Sequence, residues 1–224
     1  MKCHNPLEPN VRWPGANLFR NPFGELSRDE RSKLACVDIR PIIRFLRNAG
    51  RYRRKVAFQL IGECGRGKTT HLLALTEALD DTFYVYLPED GPCPAIADAS
   101  LLLIDEAQRL PRSVRAAVLQ SGRPLVLATH RDLRFSLRSW GYELETLQIG
   151  LSLCPRSLAE LLNRRIVASR RSDSDPVPQL TDGDAASLLR QFGTNIREME
   201  RNLYDFVQEH VDSHGKMRFE DRTG

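Results

Sequence analysis

The 224-residue chain has no apolar run near the roughly 18 residues that a membrane-crossing helix needs, which excludes a helical membrane protein. Its first ten residues carry Lys2 without an apolar stretch behind it, so no export signal is expected. Cysteine is sparse and dispersed. Cys3, Cys36, Cys64, Cys93 and Cys154 form no Cys-x-x-Cys pair, an odd set that fits reduced thiols and a cytoplasmic chain. His210 and His214 stand four apart but have no third ligand at a fitting spacing, so they read as tail histidines rather than a metal site. Lysine is nearly missing, at 5 of 33 basic residues against 28 arginines. Arginine forks suit phosphate, although a codon bias would produce the same excess. Aromatic content is only 7%, and the formal net charge of +4 is too small for a histone-like protein. What remains is 41% hydrophobic and 28% charged residues, the composition of a soluble globule with a core.

Within that composition the chain changes character along its length. Residues 1–26 hold Pro6, Pro9, Pro14, Gly15, Pro22 and Gly24 and read as an extended N-terminal arm. A helical pattern covers 27–48, with Pro41 expected to separate two short helices. Short apolar runs at 56–61, 83–87, 101–104 and 125–128 read as strands, and 143–149 reads as a fifth strand. Helical stretches at 69–79 and 114–120 lie between them. Strands alternating with helices predict an α/β fold, a parallel sheet with helices on both faces, spanning 27–150. From 151 to 212 the pattern is purely helical (157–169, 182–192 and 194–211), predicting a small lid domain ahead of a tail at 213–224.

The chemistry is concentrated at two places. Gly62-Glu63-Cys64-Gly65-Arg66-Gly67-Lys68-Thr69, followed by Thr70, fits the pattern G-x-x-x-x-G-K-[ST]. Glycines let backbone N–H groups wrap phosphates, Lys68 is placed for the β/γ oxygens of ATP, and the Thr69 hydroxyl is placed for Mg²⁺. A strand before it and a helix after it supply the required context, because the helix N-terminus favours anions. The second place is Leu101-Leu102-Leu103-Ile104-Asp105-Glu106, 37 residues after Lys68 to its aspartate. A buried strand there delivers Asp105 for Mg²⁺ and Glu106 to polarise the water that attacks the γ-phosphate. The next strand ends in Thr129 and His130, and either could contact that water or phosphate.

On these residues the chain resembles the AAA+ P-loop ATPases across about 40–210, a resemblance specific for the superfamily rather than for one branch. Gly193-Thr194-Asn195-Ile196-Arg197-Glu198-Met199-Glu200 resembles the lid motif of bacterial replication initiators, which implies that Arg197 reaches the γ-phosphate. Asp105-Glu106-Ala107-Gln108-Arg109-Leu110 resembles the small helper ATPases of transposition and type II secretion. The resemblance also implies a homo-oligomer whose arginine finger crosses a subunit boundary. Arg131, Arg134 and Arg138 are the candidates, and Arg138, just before Trp140-Gly141, best matches the usual location.

The connection at 88–100 has three prolines and no aromatic, which argues against threading a polypeptide through a pore. No second nucleotide-type core or appended nuclease pattern follows, so the work of ATP is expected to act through a partner protein or self-assembly. Arg40, Arg44, Arg47, Arg51, Arg53, Arg54 and Lys55 form a basic stretch without an acid. It is either a contact for DNA phosphate or a solvated face. The expected function is an ATP-hydrolysing switch that oligomerises and regulates a partner, with DNA as a candidate partner. The alternative is a nucleotide-gated scaffold or signalling module with little or no turnover.

Overall fold

The computed structural model describes residues 16–50, 55–150 and 153–210. Two compact units emerge, one of residues 27–152 and one combining the segments before 27 and after 152. Among the described residues, no helix is long and apolar enough to cross a membrane.

The first unit is the expected α/β layer structure. Its strands are β1 (Val56–Ile61), β2 (Thr82–Tyr86), β3 (Leu101–Asp105), β4 (Leu125–Thr129) and β5 (Glu143–Gln148). They lie in the order β2-β3-β4-β1-β5, and every pairing is parallel. Its helices are α1 (Arg28–Lys33), α2 (Arg40–Gly50), α3 (Lys68–Ala78), α4 (Arg112–Ser121) and α5 (Arg134–Ser139). Both faces of the sheet are covered, which is why the central strands are continuous apolar runs instead of alternating ones. Leu101 and Leu103 of β3 join Ile42, Phe58, Leu72, Leu75 and Val126 under α2 and α3. Leu102 and Ile104, one residue out of phase, join Leu125, Leu127, Val118 and Leu137 under α4 and α5. At the edge, β5 exposes Glu143, Glu145 and Gln148, as an edge strand should to discourage further pairing.

Pro41 does not separate two helices. It occupies the first turn of α2, where a missing N–H has no intrahelical partner to lose, and the break falls earlier, between Lys33 and Arg40.

The second unit contains α6 (Pro155–Ala168), α7 (Asp182–Phe192) and α8 (Ile196–His210). Pro155 begins α6 two residues before the expected start, with Cys154 as its N-cap. Residues 16–26 are irregular, as their composition predicts, but they are not a free arm. Ala16, Leu18 and Phe23 are buried among Leu158, Leu162, Ile166, Met199 and Leu203. The Asn17 side chain donates to Ser172 O at 2.7 Å and Asp175 O at 2.6 Å, and Phe19 N donates to Ser169 O at 3.0 Å.

Arg165 ties this segment down. Only 6% exposed, it donates to Pro22 O at 2.9 Å and Gly24 O at 2.6 Å and pairs with Glu200. Arg165→Ala is expected to cost about 1–3 kcal/mol in urea unfolding, because it leaves two carbonyls and a partly exposed carboxylate without their donor. A loss below about 1 kcal/mol would show that the tie is replaceable.

Candidate nucleotide site

The site is built where the strands end. The loop from Gly62 to Gly67 leaves β1 and becomes α3 within one tight turn, which requires Gly65 (φ 76°) and Gly67 (φ 94°) in the left-handed region. A Cβ on Gly67 would meet nothing within 4 Å, so the loop leaves open space at that point, whereas a Cβ on Gly62 would come within 3.0 Å of the Ile149 carbonyl oxygen. Gly67 is therefore required by its positive φ, and Gly62 by the neighbouring backbone.

The first-turn N–H groups of α3 have no carbonyl four residues ahead of them, so this end of the helix favours a bound anion. Lys68 is 5% exposed. Its ammonium donates to Gly62 O at 2.7 Å and Glu63 O at 2.9 Å, holding the charge inside the loop. Arg66 pairs with Glu63 at 2.7 Å, which lowers the Glu63 pKa. Cys64 is exposed, and Thr70 continues the first turn of α3. His71, one turn along the helix, places Nδ1 2.9 Å from Gly67 O. Burial holds its pKa below the usual histidine value against that hydrogen bond, so the neutral ring donates Nδ1–H at pH 7.

Strand β3 brings the acids to this loop. Thr69 Oγ1 donates to Asp105 Oδ2 at 2.7 Å, and Tyr84 Oη donates to the same oxygen at 3.1 Å. The Glu106 N–H donates to Asp105 Oδ1 at 3.1 Å. Burial raises the Asp105 pKa, and the bonds from Thr69 and Tyr84 oppose that rise. Burial, followed by the proximity of Asp105, pushes the Tyr84 hydroxyl far above its ordinary range, so it remains a donor. Thr69 and Asp105 thus offer a hydroxyl and a carboxylate oxygen side by side, the hard donor chemistry that Mg²⁺ takes.

Glu106 lies beyond the strand end with φ 58° and ψ 41°, a conformation that non-glycine residues adopt infrequently. Its carboxylate accepts from Gln108 Nε2 at 2.7 Å, lies 3.2 Å from His130 Nε2 and 3.6 Å from Arg109. His130 Nε2 is also 3.5 Å from the Lys68 ammonium. These distances separate the two residues at the end of β4. Thr129 is buried, and its hydroxyl donates to Arg131 O at 2.8 Å and accepts from Arg131 N at 3.0 Å, which closes a local turn. His130 is the one whose side chain reaches the acid and the lysine.

Tyr84 and Gln59 are not singled out from the sequence, and Gln108 and Arg109 enter it only as part of the Asp105–Leu110 segment, with no role of their own. Tyr84, Gln108 and Arg109 touch Asp105 or Glu106. Gln59, buried in β1, donates to Asp132 Oδ1 and Thr146 Oγ1, both at 2.8 Å, and its Oε1 accepts from Leu133 N at 3.1 Å. It thereby sets the turn from which α5 starts. A polar residue inside an apolar strand is the only sequence signal that marks it.

The remaining candidates are carried by other elements. Arg131, Arg134 and Arg138 are exposed on α5 or the turn before it, and Arg134 is 3.5 Å from Asp132. Arg197 is exposed at the start of α8, in the helical unit. Of the basic stretch, Arg40, Arg44 and Arg47 fall at i, i+4 and i+7 of α2. Arg44 and Arg47 are exposed on α2, while Arg40 forms a bidentate pair with Asp38 at 2.7 and 2.8 Å. Lys55 turns instead to Trp140 O at 3.4 Å and the Tyr142 ring. Arg51, Arg53 and Arg54 lie outside the described residues.

No protein-family model and no curated protein matches the sequence. Solved structures do match. The Holliday junction branch migration motor RuvB of Thermotoga maritima is similar at 18% identity and a TM-score of 0.54, over 88% of this chain and 76% of that one. A DNA replication initiation factor matches at 14% identity and a TM-score of 0.50, over 83% and 66% of the two chains. The replication initiator DnaA, solved with AMPPCP and single-stranded DNA, matches at 12% identity and 0.50, over 84% and 67%. At these identities the likeness is one of fold.

Proposed function

We propose that this chain, which has the AAA+ P-loop ATPase fold, binds ATP with Mg²⁺ and hydrolyses it. The observation that carries the reading is the meeting of Lys68, Thr69, Asp105, Glu106 and His130 within hydrogen-bonding or near-hydrogen-bonding distance at the ends of β1, β3 and β4. Three separate stretches of chain converge there on the groups that a phosphate-transfer site needs.

Each residue has a role that follows from its place. The loop N–H groups and Lys68 bind the phosphate oxygens, with the lysine exchanging two carbonyl partners for anionic ones. Thr69 and Asp105 hold Mg²⁺, which supplies charge neutralisation at the β- and γ-oxygens. Glu106 orients and polarises the attacking water, and His130 fixes that carboxylate while pointing toward Lys68. By the lid motif, Arg197 is assigned to the γ-phosphate. Arg138 is assigned as the finger supplied to a neighbouring copy, making the active form a homo-oligomer that acts on a partner protein. The DNA named with RuvB and DnaA supports DNA as a candidate partner, contacted through Arg44 and Arg47.

The test is steady-state phosphate release from ATP by the full chain, with Mg²⁺ or EDTA and with or without duplex DNA. Turnover that needs Mg²⁺ is the expected result. Tight ATP binding with no release under any of these conditions would favour the nucleotide-gated scaffold, and no binding would reject the site.

A further inference from the structure

One residue that touches the Thr69–Asp105 pair is marked by no motif. Tyr84 sits on β2, one strand away from Asp105, in register with Leu103. Its ring packs with the cluster under α2 and α3, and the Arg28 guanidinium lies 4.5 Å from the ring centroid. Arg28 is itself at the first position of α1, whose start is closed by a reciprocal Ser27–Glu30 capping box. The ring is therefore held on both sides, and its hydroxyl meets Asp105 Oδ2 at 3.1 Å. Phenylalanine would fill the same space, so the hydroxyl's contribution is the bond it makes.

We propose that Tyr84 is a positioning residue for metal binding: its hydroxyl holds the Asp105 carboxylate in place beside the Thr69 hydroxyl. This rests on the reading of Thr69 and Asp105 as the Mg²⁺ pair. Asp105 Oδ2 has two side-chain donors, Thr69 and Tyr84, while Oδ1 takes the Glu106 N–H. Thr69 is itself one of the two residues that would hold the cation, whereas Tyr84 donates to the carboxylate without being a metal ligand and so fixes its orientation from outside the pair. Partners of this kind around a metal ligand are typically worth about 10- to 100-fold in metal affinity. The same chain of contacts links α1, an element that precedes the phosphate loop, to the metal site through Arg28 and the Tyr84 ring.

The experiment uses the full chain and its Tyr84→Phe variant, with a fluorescent ATP analogue titrated by Mg²⁺ and, separately, bound in EDTA. The expected result has three parts. Metal-free analogue affinity stays within about twofold, the melting temperature stays near that of the unsubstituted chain, and the Mg²⁺ midpoint rises about tenfold or more. A midpoint within about twofold of the unsubstituted chain overturns the proposal. So does a parallel loss of metal-free affinity, which would mark Tyr84 as serving only the fold. If the unsubstituted chain shows no Mg²⁺ dependence, the metal pair itself is misassigned and the proposal falls with it. That control separates the two failures.

Discussion

Glu106→Gln is expected to lower ATP turnover by about 10²- to 10⁴-fold while leaving nucleotide affinity within a few-fold. Glutamine keeps the length and shape of the side chain but cannot take a proton from water or hold negative charge beside it. The surroundings tolerate the exchange. The carboxylate is ringed by Gln108 at 2.7 Å, His130 at 3.2 Å and Arg109 at 3.6 Å, and the glutamine oxygen can still accept from one or two of them. The groups proposed to bind phosphate lie in the loop after β1 and at the start of α3, on a different stretch of chain from Glu106. Single-turnover phosphate release, paired with a nucleotide titration, separates the two quantities. Equal turnover in variant and unsubstituted chain would remove Glu106 from the chemistry. Loss of binding and turnover together would instead mean that the left-handed turn at Glu106 needs the charged side chain to hold its shape.

The second large effect is expected at Lys68. Lys68→Ala should weaken ATP binding by about 2–3 kcal/mol, or about 30- to 150-fold, the worth of charge-assisted hydrogen bonds to phosphate. The buried ammonium holds the loop together through Gly62 O and Glu63 O, so the variant also relaxes the cradle itself. Two measurements are needed. Thermal melting reports whether the α/β unit survives, and isothermal titration with ATP reports the affinity. Unchanged affinity in a folded variant would show that the phosphates bind elsewhere.

Much of this site is legible before folding is considered. The glycine spacing around Lys68 has meaning because only glycine reaches the positive φ of Gly65 and Gly67 without strain. The acid pair is legible because a four-residue apolar run is too short for a buried helix and suits a central strand, which delivers its next residues to the end of the sheet. The residues that escaped notice have no such local rule. Tyr84 looks like any strand aromatic until β2 is placed beside β3. Gln59 looks like a flaw in an apolar run until Asp132 and Thr146 arrive from 73 and 87 residues away.

By itself, the sequence determined the strands and helices, the parallel α/β class, and which residue types stand at the phosphate loop and after β3. These follow from short-range constraints: backbone dihedrals, helix and strand periodicity, and the burial of consecutive apolar side chains. The tertiary structure decided what those residues face. It turned Thr129 into a local turn and left His130 to meet Glu106. It also packed residues 16–26 into the helical unit around Arg165 and joined Lys55 to the Trp140 carbonyl. The physical reason is the same in each case. A hydrogen bond or ion pair between distant residues depends on strand order and register, and these are chosen by the whole core instead of by any one segment.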